Sequence, residues 1–208
     1  MSVTVEFYFD LSSPWTCLAF HNIQPIIKEN GAAIIWKPFL VGGVFNAVNQ
    51  DVYAARENPD NRKFVHSFRV LKDWAKLAGL PMNFPSEHHP VKSVHAMRLC
   101  CVLEEDQAAL HKFATAAFNA YYGDQRNLDD PEVLIAIADE VGLDGSTLAA
   151  RTQEQQIKDR LRANTEEAIA RGAYGSPSIF VSFGDGERMY FGNDQLPLIN
   201  WAIKQGLV

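Results

Sequence analysis

The sequence predicts an α/β fold in which two short segments of mixed strands and helices flank a long helical block. Three observations support this prediction. Strand and helix patterns alternate over residues 3–39, strand patterns are absent from about residue 44 to residue 171, and they return after Gly172 as a hairpin followed by a helix. The order is therefore βαβ, helical block, ββα. This is the thioredoxin arrangement with a large all-helical insertion, so we assign residues 1–44 and 172–208 to a discontinuous thioredoxin-like domain and residues 45–171 to the insertion.

The N-terminal segment predicts a βαβ unit. Residues 3–9 are almost continuously apolar and aromatic, as in a strand that is covered on both faces. A Ser-Ser-Pro turn follows, and the helix that begins at Pro14 carries apolar residues at spacings of three and four until it ends near Asn30. Residues 32–39 predict the second strand. Such a unit implies parallel strands joined by a right-handed crossover.

The middle block predicts only helices and loops. In chain order we expect a helix at 61–78, a proline-rich loop at 80–90, helices at 91–105 and 106–122, a helix from Asp130 to Gly142, a short helix capped by Ser146, and a longer polar helix that ends near Gly172.

The C-terminal segment predicts a hairpin and a last helix. Residues 178–183 and 188–191 have strand composition, and the Gly-Asp-Gly-Glu sequence at 184–187 predicts the turn between them. The Gly-Asn-Asp sequence at 192–194 introduces the last helix, whose apolar residues recur at helical spacing.

Composition excludes several classes of function. With 208 residues, 47% hydrophobic and 11% aromatic, the chain has the composition of an ordinary globular protein. A net charge of −6 without a stripe of Lys and Arg argues against a nucleic-acid partner, because phosphate binding needs clustered positive charge. No apolar run has the roughly 18 residues of a membrane span, and no basic, apolar leader begins the chain. We therefore expect no membrane partner and a cytoplasmic location.

The three cysteines point to a reducing compartment. Cys17, Cys100 and Cys101 form no Cys-x-x-Cys motif and no metal-ligand spacing, which argues against structural zinc. Cys100 and Cys101 are adjacent in a predicted helix, so we expect buried thiols rather than a disulfide.

The start of the first helix is the candidate site. In a thioredoxin fold the reactive group lies at this position, where free N–H groups and the helix dipole stabilise a thiolate. Here the four positions are Ser13-Pro14-Trp15-Thr16, so dithiol–disulfide exchange cannot take place there. The Ser13 hydroxyl could donate a hydrogen bond to a thiolate that a ligand brings. Alternatively, Ser13 is a simple helix cap.

Three motifs resemble a known family. They are Phe-Tyr-Phe-Asp-Leu-Ser-Ser-Pro-Trp at 7–15, Gly-Ser-Pro-Ser-Ile-Phe-Val at 175–181, and Tyr-Phe-Gly-Asn-Asp-Gln-Leu at 190–196. In this order they resemble the signatures of 2-hydroxychromene-2-carboxylate isomerases, which are glutathione-dependent enzymes of the DsbA-like superfamily and relatives of the kappa-class glutathione transferases. The resemblance spans the whole chain.

The resemblance implies roles for five residues in these motifs. Ser13 matches the serine that hydrogen-bonds the glutathione sulfur. Pro177 matches a cis-proline, and the backbone of Ser176 before it matches the group that binds the cysteinyl part of glutathione. Asn193 and Asp194 match the pair that binds the γ-glutamyl end. The alternatives are an ordinary trans proline before a strand and a pair of helix-capping residues.

In the helical block the resemblance is looser. It places Asn49 near the sulfur and Lys63 near the glycyl carboxylate of glutathione, although Lys63 could equally be a solvated lysine. Lys92 stands where the family commonly has an asparagine. Three further positions differ from the tyrosine, aspartate and arginine that the family often carries, namely His66, Val70 and Asp73. These differences leave the acceptor substrate open.

The resemblance implies a glutathione-dependent isomerase of a 2-hydroxychromene-2-carboxylate-type aromatic electrophile that acts through a thiolate held by Ser13, and it implies a homodimer. A kappa-like glutathione transferase, a DsbA-like thiol oxidoreductase and a redox-silent binding module remain alternatives. The missing cysteines at 13 and 16 argue against the oxidoreductase. Candidate acid–base groups are His88, His89 and His95.

Overall fold

The computed structural model describes residues 3–53, 58, 60–183 and 186–206. Four strands form one mixed sheet in the order β2-β1-β3-β4, where β1 is Thr4–Phe9, β2 is Ala33–Pro38, β3 is Ser178–Phe183 and β4 is Gly186–Phe191. Strand β1 runs parallel to β2 and antiparallel to β3, and β4 runs antiparallel to β3. The predicted thioredoxin-like arrangement is therefore confirmed. Residues 184–185 of the predicted turn lie outside the described residues.

Helix α1, Pro14–Asn30, makes the crossover between β1 and β2. Ser13 caps it, since its hydroxyl oxygen accepts a hydrogen bond from the Thr16 N–H at 3.2 Å. The helix ends at Gly31, whose φ of 59° lies in the left-handed region that favours glycine. The proline at the first helical position and the glycine past the last one produce the boundaries that the sequence predicts.

Further helices in the described ranges are α2 (Val41–Val48), α3 (Arg62–Ala78), α4 (Val94–Val102), α5 (Gln107–Phe118), α6 (Pro131–Glu140), α7 (Gly145–Arg151), α8 (Gln155–Ala170) and α9 (Leu196–Gly206), with a π-helix at Asn119–Gly123.

Several predicted boundaries are wrong. The helix predicted at 91–105 spans only Val94–Val102, and β4 already begins at Gly186, within the predicted turn. Asp144, not Ser146, caps α7, because its carboxylate reaches the Thr147 N–H at 2.9 Å while residue 146 already lies inside the helix. The helix predicted at 106–122 changes its winding after Phe118. There the Asp124 N–H bonds to the Asn119 carbonyl five residues earlier, at 3.1 Å.

The helical block packs against the sheet through aromatic side chains. The Phe20 ring of α1 lies 4.2 Å from the Trp36 ring of β2 and 5.2 Å from the Phe118 ring of α5, measured between centroids. One hydrophobic cluster includes residues of the sheet, of α1 and of the block. Tyr8, Phe39 and other side chains form a smaller cluster.

A second tie between sheet and block is Arg171, which directly follows α8. Its guanidinium donates hydrogen bonds to the carboxylates of Glu6 on β1, Glu187 on β4 and Glu167 on α8. It also lies 4.0 Å from the centroid of the Phe180 ring. The Arg171 and Glu6 side chains are each only 19% exposed, so their pair is partly shielded from water, whereas Glu167 and Glu187 are 42% and 39% exposed.

We expect Arg171→Leu to destabilise the protein by about 2 kcal/mol or more, because it leaves the partly buried Glu6 carboxylate without its counter-charge and removes the contact with the Phe180 ring. The matched control is Arg126→Leu, which removes an ion pair with the 57% exposed Glu140 and should cost less than about 1 kcal/mol. Urea unfolding of the two variants measures both values. Equal losses would contradict the role given to Arg171.

Candidate active site

Ser13 lies where α1 meets the loop before β3. Its hydroxyl donates a hydrogen bond to the Ser176 carbonyl at 3.1 Å while its oxygen caps the helix. The side chain is partly exposed. A hydroxyl in this position can turn its proton toward a ligand without giving up the cap, because donation and acceptance use different parts of the group.

The Ser176 side chain joins the same two elements from within the protein. Its hydroxyl oxygen accepts a hydrogen bond from the Asp10 N–H at 3.1 Å and lies 2.7 Å from the Thr16 hydroxyl oxygen. The Ser176–Pro177 peptide bond is cis, as the resemblance implies. The two positions that would carry a redox pair, 13 and 16, are thus both tied to Ser176.

The Asp10 carboxylate holds the turn between β1 and α1 by hydrogen bonds. It is fully buried and accepts four hydrogen bonds: two from the Ser12 N–H and hydroxyl, one from the Val41 N–H and one from the Ser93 hydroxyl, at 2.8–3.0 Å. Burial raises the pKa of Asp10, and the four donors oppose that rise by stabilising the ionised form. Asp10 lies within a motif that carried the resemblance, but the sequence alone suggested no role for it.

Ser13 and Ser176 open into a central cavity of about 340 Å³. Asn49 also lines it, and its amide donates a hydrogen bond to the Tyr174 carbonyl at 2.9 Å. The rest of the wall is largely apolar, with Phe45, Phe64, Phe68, Leu71, Phe84 and Phe191. The structure therefore brings three of the predicted site residues together beside an apolar surface.

A lateral cavity of about 400 Å³ holds two more of them, Lys63 and Asp194. It shares Trp15, Ser67 and Phe191 with the central cavity, so the two adjoin. Both charged side chains are exposed, and within the described part of the chain neither forms a hydrogen bond or an ion pair. The lateral cavity thus offers one free cation and one free anion to a ligand.

The turn that carries Asp194 depends on Gly192. The φ of Gly192 is +87°, and a Cβ at this position would lie 2.9 Å from a carboxylate oxygen of Asp194. The Gln195 side chain closes the turn by accepting a hydrogen bond from the Phe191 N–H at 2.8 Å.

Asn193 is not brought to the same place as its neighbour. It is only 2% exposed, and its side-chain oxygen accepts a hydrogen bond from the Asn22 amide of α1 at 2.8 Å. Its side chain lines a fourth cavity, whereas Asp194 lines the lateral one. Its partner Asn22 could not be anticipated from the sequence, since the two positions are 171 residues apart. A ligand role for Asn193 stays a prediction.

An outer cavity of about 440 Å³ adjoins the central cavity on its other side. The two share Ser12, Val41, Phe45 and His89. Gly42, Gly43 and Lys92 also line the outer cavity, and Lys92 is exposed. Of the histidines that the sequence offered, His89 is the one that lines both of these cavities.

The protein's own thiols lie away from these cavities. Burial raises the pKa of Cys17 to about 12 and also raises the pKa of Cys100 and Cys101, so all three stay protonated near neutral pH. None of the three lines the central, lateral or outer cavity. In the described ranges, no group of His, Cys, Asp or Glu is arranged to hold a metal ion, and no helix is long and apolar enough to cross a membrane.

Comparison with known proteins identifies relatives over nearly the full length. Residues 4–204 match the model of the DSBA-like thioredoxin domain. The chain is 25% identical over 203 residues to 2-hydroxychromene-2-carboxylate isomerase of Sphingobium xenophagum, covering 96% of this chain and 97% of the relative. It is also 25% identical to glutathione S-transferase kappa 1 of Homo sapiens, covering 94% and 88%.

Solved structures show the same fold. A 2-hydroxychromene-2-carboxylate isomerase superposes with a TM-score of 0.78 at 24% identity, covering 97% of this chain and 95% of that one. A probable DsbA oxidoreductase of Streptomyces coelicolor superposes with a TM-score of 0.75 at 17% identity, covering 99% and 90%.

We expect the native protein to be almost inert toward an aromatic disulfide reagent at pH 8. With a pKa of about 12, Cys17 is ionised to only about one part in ten thousand, and its exposure of 6% limits access. After unfolding in urea all three thiols should react within minutes. Absorbance of the released thiol measures both states. Fast reaction of even one thiol in the native protein would contradict the burial of these groups.

Proposed function

Because the chain belongs to the DSBA-like thioredoxin domain family, shown by the match over residues 4–204, we propose that it is a glutathione-dependent isomerase of a 2-hydroxychromene-2-carboxylate-type aromatic substrate. One observation carries the proposal: the Ser13 hydroxyl stands at the start of α1, where no protein thiol competes, and it opens into a cavity that adjoins unpaired opposite charges. The relatives include isomerases and kappa-class glutathione transferases, which supports the same proposal.

The residues present fit glutathione. Its thiol would lie in the central cavity at Ser13, and its two ends would need a cation for the glycyl carboxylate and an anion for the γ-glutamyl ammonium. Lys63 and Asp194 offer these charges in the adjoining lateral cavity. Ser176 and Asn49 line the central cavity, where the cysteinyl part of glutathione would lie. When bound, glutathione would supply a thiolate that adds reversibly to a conjugated carbon of the acceptor.

The chain's own residues would hold that thiolate and set its charge. Ser13 would turn its hydroxyl proton from the Ser176 carbonyl to the sulfur, while the Thr16 N–H keeps its bond to the hydroxyl oxygen. The N-terminal end of α1 adds the positive end of its dipole. Both effects favour the ionised thiol and should lower its pKa.

The outer cavity is suited to the acceptor. Gly42 carries no side chain and has nothing within 4 Å of where a Cβ would lie, so it leaves room for a planar ring, and the exposed Lys92 ammonium can pair with a carboxylate. His89 lies at the border with the central cavity, where it can exchange a proton with an acceptor whose ring opens and closes. In this arrangement the sulfur and the acceptor meet beside Ser12.

A kappa-like transferase is the second candidate, since relatives of that name cover the chain equally well. It would use the same thiolate and release the adduct as product. A thiol oxidoreductase has no redox pair at positions 13 and 16. A redox-silent binding module would bind glutathione without turning over any electrophile. A homodimer and a cytoplasmic location complete the proposal.

We expect glutathione to be required for isomerisation of 2-hydroxychromene-2-carboxylate, followed by its ultraviolet spectrum, and Ser13→Ala to lower kcat/KM ten- to a hundredfold. A hydrogen bond to a charged group is worth about 1.5–3 kcal/mol, which corresponds to this range. Ultraviolet titration of the bound thiolate should show a higher thiol pKa in the variant.

The matched control is Ser13→Thr, which keeps the hydroxyl and should retain most of the activity and the lowered thiol pKa. An unchanged thiol pKa in Ser13→Ala would remove the role assigned to Ser13. Consumption of glutathione with the acceptor would favour the transferase instead.

We expect Asp194→Asn to weaken glutathione binding tenfold or more at unchanged thermal stability, because it removes a charge-assisted hydrogen bond to the γ-glutamyl ammonium. If Asp194 only caps the last helix, the change should be silent, since Asn caps about as well as Asp. Calorimetric titration measures the affinity. Asp73→Asn is the matched control, because it removes the same charge from an exposed position of α3 that lines neither cavity.

A further inference from the structure

Helix α3 carries basic side chains along one exposed face. Arg62, Arg69 and Lys76 recur every seven residues, which is close to two helical turns, so they lie on one line along the helix. Lys72 lies beside this line, and all four residues are exposed. We call these four residues the basic face of α3. They are scattered in the sequence, and the helix brings them to one side of the molecule.

Among the described residues no acidic side chain neutralises this face. Its four side chains form neither a hydrogen bond nor an ion pair within the described part of the chain. Helix α3 contains five Lys or Arg residues and one Asp, a net charge of +4, whereas the whole chain has a net charge of −6. The helix is therefore a local region of positive potential on an otherwise acidic protein.

The basic face borders the lateral cavity. Lys63 and His66 of the same helix line that cavity. Side chains three or four residues apart are neighbours on a helix, so Arg62 and Arg69 flank His66. From Arg62 to Lys76 the line is about 21 Å long at 1.5 Å per residue. At low salt this is shorter than the Debye length of about 30 Å, so the whole face acts on an ion that approaches the cavity.

We propose that the basic face of α3 steers glutathione, as an anion, into the lateral cavity. Glutathione has two carboxylates and one ammonium near neutral pH, so positive potential beside the cavity raises its local concentration and speeds its association. None of the four side chains lines the lateral cavity, so they act on the approaching ligand and not on the bound one. This steering rests on the proposed function, because glutathione is the ligand that it concerns.

Temperature-jump relaxation of the full chain with glutathione tests the steering. Trp15 and Trp74 line the lateral cavity, so tryptophan fluorescence reports arrival of the ligand. The slope of the relaxation rate against glutathione concentration gives the association rate constant, and the intercept gives the dissociation rate constant. The variant combines Arg62→Gln, Arg69→Gln and Lys76→Gln, which keep good helix formers at exposed positions.

At an ionic strength of about 0.01 M, we expect this variant to associate with glutathione about three- to tenfold more slowly than the wild type. Its dissociation rate constant should stay within about twofold of the wild-type value, because the removed charges do not contact the bound ligand. At about 1 M salt the Debye length is about 3 Å, so the two proteins should associate at the same rate.

The matched control combines Lys28→Gln, Lys112→Gln and Arg162→Gln. It removes the same charge from exposed positions that line none of the central, lateral and outer cavities, and its association rate should change by less than about twofold. The monoethyl ester of glutathione at the glycyl carboxylate has no net charge. It should therefore associate equally fast with the wild type and with the α3 variant.

Equal association rates of glutathione with the two triple variants would overturn the steering while leaving the proposed function intact. A wild-type association rate that does not fall with salt, or an equal slowing of the ester in the α3 variant, would do the same. If the wild type binds no glutathione at any salt concentration, the proposed function and the steering both fail.

Discussion

A buried carboxylate with four hydrogen-bond donors joins the segments that form the candidate active site. Asp10 directly follows β1, and its oxygens accept hydrogen bonds from Ser12 in the turn before α1, from the first residue of α2 and from Ser93, which directly precedes α4. These segments come from distant parts of the chain. A buried ionised group is costly unless it is fully paired, so the position of each segment depends on the others. The Ser13 turn is therefore held by the helical block as well as by the sheet.

The three adjoining cavities differ in the charge and polarity of their walls. Unpaired charges stand in the lateral cavity, aromatic side chains surround the central one, and a single lysine faces the outer one. A ligand that extends from the lateral to the central cavity passes from a polar to an apolar environment. At its far end a sulfur would meet Ser13 where water is partly excluded, and hydrogen bonds are stronger in such surroundings.

The strands, α1 and the helical block were predictable because their signals are local. These signals are a proline at the first helical position, a glycine after the last one, and a nearly continuous run of apolar and aromatic residues in a strand. None of them needs a tertiary contact to be recognised. The cap of α7 was misplaced because Asp144 and Ser146 are both acceptable caps, and only the backbone geometry distinguishes them. The separation of Asn193 from Asp194 depends on Asn22, which lies far away in the chain. The role of Asp10 was missed because its partners lie on segments that only the fold brings together.

Gly192 has a consequence for how this site can change in evolution. A side chain there would have to adopt a left-handed backbone and would collide with the Asp194 carboxylate, so one substitution would disturb the turn and displace the charge together. A substitution at position 192 therefore cannot shift the Asp194 carboxylate by a small amount. Substitutions at Gln195 and Asn22 can, because these residues support the turn through side-chain hydrogen bonds that can be exchanged one at a time. Among related sequences, position 192 should therefore stay glycine wherever the carboxylate is kept, whereas positions 195 and 22 should vary among residues that can form hydrogen bonds.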